Sequence, residues 1–368
     1  MGGTGQGAVD RLERVRETVE FLCSRACAGR APGTREGVHA RERIRAEFEA
    51  IGLVPAGSEG FVQPVPGCGG ANVLGRIPGR GPGADRVVIA AAHYDHLGTI
   101  DGDTYWGADD NAAAVAILLE AARGVAARQD ALGREVWFIA FDGEEPPHFL
   151  GDGMGSVHFV ETRTIPLDRI DMMVCMDLMG HALGTPDLPE DVRRSIFLLG
   201  AERSRGTKAI VERARDRAPG VVLRRLASDV VPALSDYYAF EKEEVPFLFF
   251  TCGRWEHYHT PSDTPEKLDY PKIIATADYL EALILELSQR PEQRVEYQTS
   301  PRDDDATLES IESVARLLIP HRAPAKRLAE QAAKMRARFV KKGSFDIVER
   351  MQITQMVIEI EELVSKSS

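Results

Sequence analysis

Five stretches of the chain carry residues whose types and spacing suit metal chemistry. In His93-Tyr94-Asp95, a histidine with a carboxylate two residues on can bind a metal through one ring nitrogen while the acid orients it through the other. The structural alternative is a packed strand-end histidine. Gly107-Ala108-Asp109-Asp110-Asn111 stands directly before a helical pattern. Capping of free helix amides accounts for one acid there, which leaves one residue of the trio for a metal. At Glu144-Glu145, adjacent side chains on a turn point in different directions, so one carboxylate can hold a metal and the other can stay free as a general base. A solvated acidic turn is the competing reading. Asp177 lies in Met176-Asp177-Leu178-Met179-Gly180 with apolar residues on both sides, where an unpaired charge is costly. Finally, His257-Tyr258-His259-Thr260-Pro261-Ser262-Asp263-Thr264 follows an apolar run and a short loop, with a helix cap at Ser262 or Asp263 as the alternative.

Together these stretches supply two histidines and three carboxylates as ligands, plus a spare Glu. Nitrogen and oxygen donors without thiolate suit zinc, ahead of cobalt or manganese. One carboxylate bridging two ions would give each a histidine, a terminal carboxylate and an open position for water, which is a hydrolytic di-metal centre.

The elements that must position these groups are legible from periodicity. Arg35 to Ile51 is spaced as a helix that stops at Gly52. Asn72 to Ile77, Arg86 to Ala92, Glu135 to Phe141, Asp171 to Leu178, Ser195 to Leu199 and Val245 to Thr251 read as strands, most of them fully buried. Helices are predicted over Asn111 to Ala127 and Thr207 to Ala218. Strand, helix, strand is the βαβ pattern, so the expected fold is α/β, a sheet with helices on both faces. Ligands in such sheets collect beyond the C-terminal strand ends, where His93, Glu144, Glu145 and Asp177 all stand. After residue 290 the character changes to three charged, helix-patterned segments. The predicted division is a catalytic domain over 1–290 and a helical C-terminal extension over 291–368.

Composition narrows the function. The 368 residues are 43% hydrophobic, and 45 Lys and Arg against 57 Asp and Glu leave a net charge of -12. That balance excludes a nucleic-acid backbone or an anionic membrane as a partner. Five cysteines, an odd number, point to reduced intracellular thiols rather than a disulfide framework. The N-terminal stretch lacks the apolar core of a signal peptide, so the expectation is a cytoplasmic protein, with secretion of a longer precursor left open. The apolar stripe from Met351 to Leu363 marks a core or partner-facing helix, which would serve a homo-oligomer built through the C-terminal helices.

The order HYDHLG, GADDNAAAV, FDGEE, MDLMG, SDYYAF and YHTPSDT resembles the co-catalytic di-zinc aminopeptidases, the zinc-exopeptidase family that includes bacterial leucyl aminopeptidases. The resemblance implies a mixed, mostly parallel sheet of the phosphorylase/hydrolase-like kind and two zinc ions per chain. It implies His93 and Asp177 on one zinc, Glu145 and His259 on the other, and Asp109 as the bridge. Glu144 matches the general base for the zinc-activated water, Asp95 the acid behind His93, and Tyr258 an oxyanion donor. The peptide bond after the bridging acid is expected to be cis, here Asp109 to Asp110. The implied activity is removal of N-terminal residues from peptides. The alternatives are a single-zinc enzyme resembling glutaminyl cyclase and a non-catalytic binding protein on the same fold. The chain departs from the pattern at Pro146 to Ser156, longer than usual, and at Ser235-Asp236-Tyr237, where many members have Ser-Asp-His.

Overall fold

A computed structural model describes residues 3–291, 294–299 and 302–365. Helix α1 (Gly3–Leu22) leads to α2 (Arg35–Ile51). Thr34 caps α2 by accepting from the Gly37 amide at 3.0 Å, and Gly52 ends it at φ 85°, a left-handed conformation that favours glycine. Short strands β1 (Val54–Pro55) and β2 (Val62–Val65) flank β3 (Gly70–Ile77). Next come β4 (Val87–His93), the small hairpin β5 (Thr99–Ile100) and β6 (Asp103–Thr104), helix α3 (Ala113–Ala126) and β7 (Glu135–Phe141). Helix α4 (Gly155–Glu161), β8 (Ile170–Asp177), α5 (Glu190–Arg193) and β9 (Ser195–Leu199) follow. Then come α6 (Thr207–Arg217), β10 (Val222–Leu226), α7 (Tyr237–Lys242) and β11 (Phe247–Thr251). Four helices complete the chain: α8 (Tyr270–Ser288), α9 (Asp304–Leu318), α10 (Ala325–Lys342) and α11 (Ile347–Ser365). Among the described residues no helix is long and apolar enough to cross a membrane.

The strands form one mixed sheet in the order β1-β3-β7-β4-β8-β11-β9-β10, with β2 beside β3. The pairs β7–β4, β4–β8 and β8–β11 are parallel, so these four strands end at a common edge. His93 pairs in register with Phe141, and Asp177 with Thr251. Topology alone therefore brings the polar groups after these strands together. Strand β4 shows why its run is apolar throughout: Val88, Ala90 and Ala92 enter one core, and Val87, Ile89 and Ala91 the other. The first core is closed by α1, α2, α3, α6 and α8, and the second by α4, α7 and α9 to α11. The C-terminal helices thus share a core with the sheet, with Leu308, Ile311, Leu328 and Met356 buried against it. The apolar stripe of α11 divides: Ile353, Met356, Ile360 and Leu363 are buried, whereas Met351 and Ile358 are exposed.

One side chain ties the N-terminal region to the functional edge. Arg30, fully buried, directs its guanidinium at backbone carbonyls: Nε donates to Tyr94, Nη1 to Leu22 at 3.2 Å and Trp106 at 2.6 Å, and Nη2 to Gly107 at 2.6 Å and Asp110 at 3.2 Å. A planar fork of five N–H donors suits this task, and a compact ammonium does not. Arg30→Met should strand these carbonyls and destabilise the protein by at least about 3 kcal/mol. Arg30→Lys should restore only part of that loss. Urea unfolding with an unchanged m-value checks both, and a loss below about 1 kcal/mol in the Met variant would contradict the anchoring role.

Candidate metal centre

The centre is built at the shared C-terminal edge of the parallel strands. His93 is the last residue of β4, and its Nε2 lies 3.4 Å from Asp110 Oδ1, 3.4 Å from Asp177 Oδ1 and 3.7 Å from Glu144 Oε2. The other oxygen of Asp110, Oδ2, lies 3.2 Å from His259 Nε2, which is itself 3.1 Å from Glu145 Oε2. Donor atoms of His93, Asp110 and Asp177 fall within 4.8 Å of one another, as do those of His96, Asp110 and Glu145. All are buried except His259, which is partly open to the cavity described below. Asp110 is common to both clusters.

The carboxylate that lies between the two clusters is therefore that of Asp110, where Asp109 was expected. Asp109 turns the other way: Oδ1 accepts from the amides of Gly180 at 2.6 Å and His181 at 2.9 Å, and Oδ2 meets His181 Nδ1 at 2.7 Å. The physical reason lies in the backbone. Asp263, for which a helix cap was the alternative reading, accepts from the amides of Asp109 at 2.9 Å and Asp110 at 3.1 Å. Helix α3 does not begin until Ala113, so neither acid caps it, and the turn over 108–112 sends the two side chains apart. The cis peptide is likewise one residue later than expected, between Asp110 and Asn111. Asn111 is fixed by donating Nδ2 to the Met176 carbonyl at 3.0 Å.

Asp95 plays the same structural part on the opposite side. Its two oxygens accept from the amides of Glu144 and Glu145, each at 3.1 Å. Its Oδ1 lies 3.5 Å from His93 Nδ1, beyond the ordinary N–H···O range, so its firm contacts are to the Glu pair. The adjacent glutamates diverge as their turn requires, with Glu144 facing His93 and Glu145 facing His96 and His259. Tyr258 stacks on the His259 ring with centroids 3.8 Å apart, and Arg254 lies 5.1 Å above the tyrosine ring.

Several residues here escaped the motif reading. His96 Nδ1 lies 2.7 Å from Glu145 Oε1, and the signal was available in HYDH, three residues past His93. Asp263 was visible only as a cap candidate, and Arg30 and His181 carried no local signal at all. His181 stacks on Trp255 with ring centroids 4.8 Å apart and holds Asp109 out of the centre.

Burial opposes the charged forms of Asp110, His93, His259, Glu144, Asp177 and Asp236. It opposes ionisation of Asp110, yet hydrogen bonds from His259 and His93 hold that carboxyl well below the usual range. Burial also disfavours protonation of the two histidines, but the surrounding acids outweigh it. Glu144, Asp177 and Asp110 raise His93 well above its ordinary value, and Asp110 with Glu145 raises His259 to about 10. Burial pushes Glu144 well up, reinforced by Asp177 and Glu145, although His93 pulls the other way. Burial raises Asp177 also, and takes Asp236 to about 7. The Tyr258 hydroxyl is raised first by burial and then by Asp110 and Glu145, so it stays protonated.

The donor set fits zinc. Donors about 2.0–2.1 Å from a tetrahedral ion lie roughly 3.3 Å from one another, which matches the 3.4, 3.4, 3.2 and 3.1 Å separations around Asp110, Asp177 and Glu145. Each donor is nitrogen or carboxylate oxygen, and two further ring nitrogens, His93 Nδ1 and His96 Nε2, are buried without a hydrogen-bond partner.

A relative from Escherichia coli (strain K12), "Uncharacterized protein YfbL", is 28% identical over 289 residues, spanning 72% of this chain and 85% of its own length. A glutaminyl-peptide cyclotransferase of Drosophila melanogaster is 29% identical over 226 residues, 56% of this chain and 61% of that protein. The crystal structure of the Legionella pneumophila LapA aminopeptidase superposes with a TM-score of 0.59 at 18% identity, covering 76% of this chain and 73% of that one, and so shares the fold. The profile of Peptidase family M28 matches residues 72–284, more than half of the sequence and the whole of the donor set, and the chain belongs to that family.

Proposed function

We propose that the protein is a di-zinc aminopeptidase that removes N-terminal residues from peptides. The single observation that carries this reading is the two-sided environment of Asp110, with Oδ1 toward His93 and Oδ2 toward His259. In the proposed assignment His93, Asp110 and Asp177 hold one zinc, and Asp110, Glu145 and His259 the other. Zinc in such clusters supplies an acidified water and a polarised substrate carbonyl.

The chain's own groups do the rest. Glu144, facing the first cluster and raised by burial, takes the proton of the attacking water and passes it to the leaving amine. Tyr258, still protonated, donates to the oxyanion of the tetrahedral intermediate. Asp95 is a positioning residue: through two amides it fixes the turn from which Glu144 and Glu145 diverge.

A single-zinc cyclase reading is favoured by the likeness to glutaminyl-peptide cyclotransferases, that of Drosophila among them. Against it stands the second donor set on Asp110 Oδ2. A non-catalytic binding protein fits less well, because the donors and the candidate base are all retained in one place.

Three measurements test the reading. Glu144→Gln should retain the full metal content and lose at least about 10²-fold in kcat; a variant with near-normal turnover would remove Glu144 from the role of base. Metal analysis separates the two adjacent acids: Asp110→Asn should lose zinc from both positions, whereas Asp109→Asn should keep it. Equal losses in the two variants would argue against Asp110 as the bridge. The wild type should bind two zinc ions per chain and cleave aminoacyl amides with a free α-amine. A stoichiometry of one, with cyclisation of N-terminal Gln, would replace the hydrolase with the cyclase.

A further inference from the structure

The metal centre opens into a cavity of about 570 Å³ that extends well beyond the reacting groups. Its polar end carries Asp110, Glu144, Asp177 and Tyr258. The middle is apolar, with Phe197, Leu226 and Phe249 from β9, β10 and β11. The far wall comes from the C-terminal helices: Ile311 and Val314 on α9, and Thr354, Val357, Ile360 and Val364 on α11. Ile311, Val314, Ile360 and Val364 are also packed in the second core, so this wall is anchored to the sheet. Val357 and Thr354 are only partly buried and face the open space. The segment matching the family profile ends at residue 284, before α9 begins at Asp304, so the wall lies outside that segment.

Resting on the aminopeptidase reading, we propose that α9 and α11 form the specificity wall of the substrate cavity and select peptides whose N-terminal side chain is long and apolar. A cavity of this size, with the candidate ligands and base grouped at one end and a mostly apolar lining beyond them, interrupted on α9 and α11 by Ser310, Thr354, Glu361 and Ser365, orients a ligand by its reacting end and takes up its apolar end by burial. A small side chain would leave the far wall uncontacted. The chemistry sits on the strand ends and the selectivity on the helices.

The test narrows the cavity from α11 without touching the metal centre. On the zinc-loaded wild type, phenylalanyl p-nitroanilide should exceed alanyl p-nitroanilide by about 10²-fold in kcat/KM. Val357→Trp should cut the phenylalanyl rate at least about tenfold and leave the alanyl rate within about threefold. Thr354→Phe gives the same test should the Trp variant fail to fold. A purely structural wall would lower both rates together, and that result, or unchanged preference, would overturn the proposal. Binding of primary n-alkylamines from propyl to hexyl, followed by calorimetry, gives a readout free of turnover. Affinity should rise by about fourfold per methylene in the wild type and level off in the variant. If no aminoacyl substrate is cleaved, the aminopeptidase reading fails, and the amine series alone decides the wall: no length dependence, or the same dependence in both proteins, overturns it.

Discussion

Negative charge in a dry place is the constraint on which this structure turns. Asp95, Asp109, Asp110, Glu144, Glu145, Asp177, Asp236 and Asp263 are all buried around one strand edge. Each would be costly alone, and no Lys or Arg side chain forms an ion pair with any of them among the described residues. The chain resolves part of the problem with its own backbone. Asp95 takes two consecutive amides, Asp263 takes two more, and Asp109 takes a third pair. What the amides leave over is Asp236 together with Asp110, Glu144, Glu145 and Asp177, the last four faced by His93, His96 and His259. That residual charge gathers where divalent cations would neutralise it, and the excess acid in the composition acquires a location.

The sheet makes this concentration geometrically available. Four parallel neighbours finish at one edge, so groups from positions 93, 144 and 177 meet without long loops. The loops that do approach are held from outside the centre: Arg30 grips carbonyls on both sides of the 94–110 segment, and His181 draws Asp109 away. The side chains that face the cavity are few, and the larger number behind them fix backbone rather than touch a ligand.

The sequence made the strands with continuous apolar runs legible, together with the C-terminal helices and the strand-end acids, because burial on both faces and a 3.6-residue period leave clear patterns. Helix α8 carried no such pattern: Ile273, Ala277, Leu280, Leu283, Ile284 and Leu287 share it with buried Tyr270, Lys272, Tyr279 and Glu286, so nearly its whole circumference is covered. The short β10, with Arg224 and Arg225 inside it, has no continuous apolar run to mark it as a strand. At the centre, residue types and the Glu pair could be read, but the choice between Asp109 and Asp110 could not. Two identical neighbours differ only in where a turn directs them, and that turn is set by Asp263 and the Gly180-His181 amides, distant in sequence.

The wall supplied by α9 and α11 also sets an order of events during synthesis. Every proposed ligand lies between residues 93 and 259, whereas the last wall residue, Val364, leaves the ribosome about a hundred residues later. A nascent chain can thus have its strand ends assembled while the apolar flank of β9, β10 and β11 still faces water. Docking of α11 converts that exposed flank into an interior, so a later segment encloses the space that the earlier segments define.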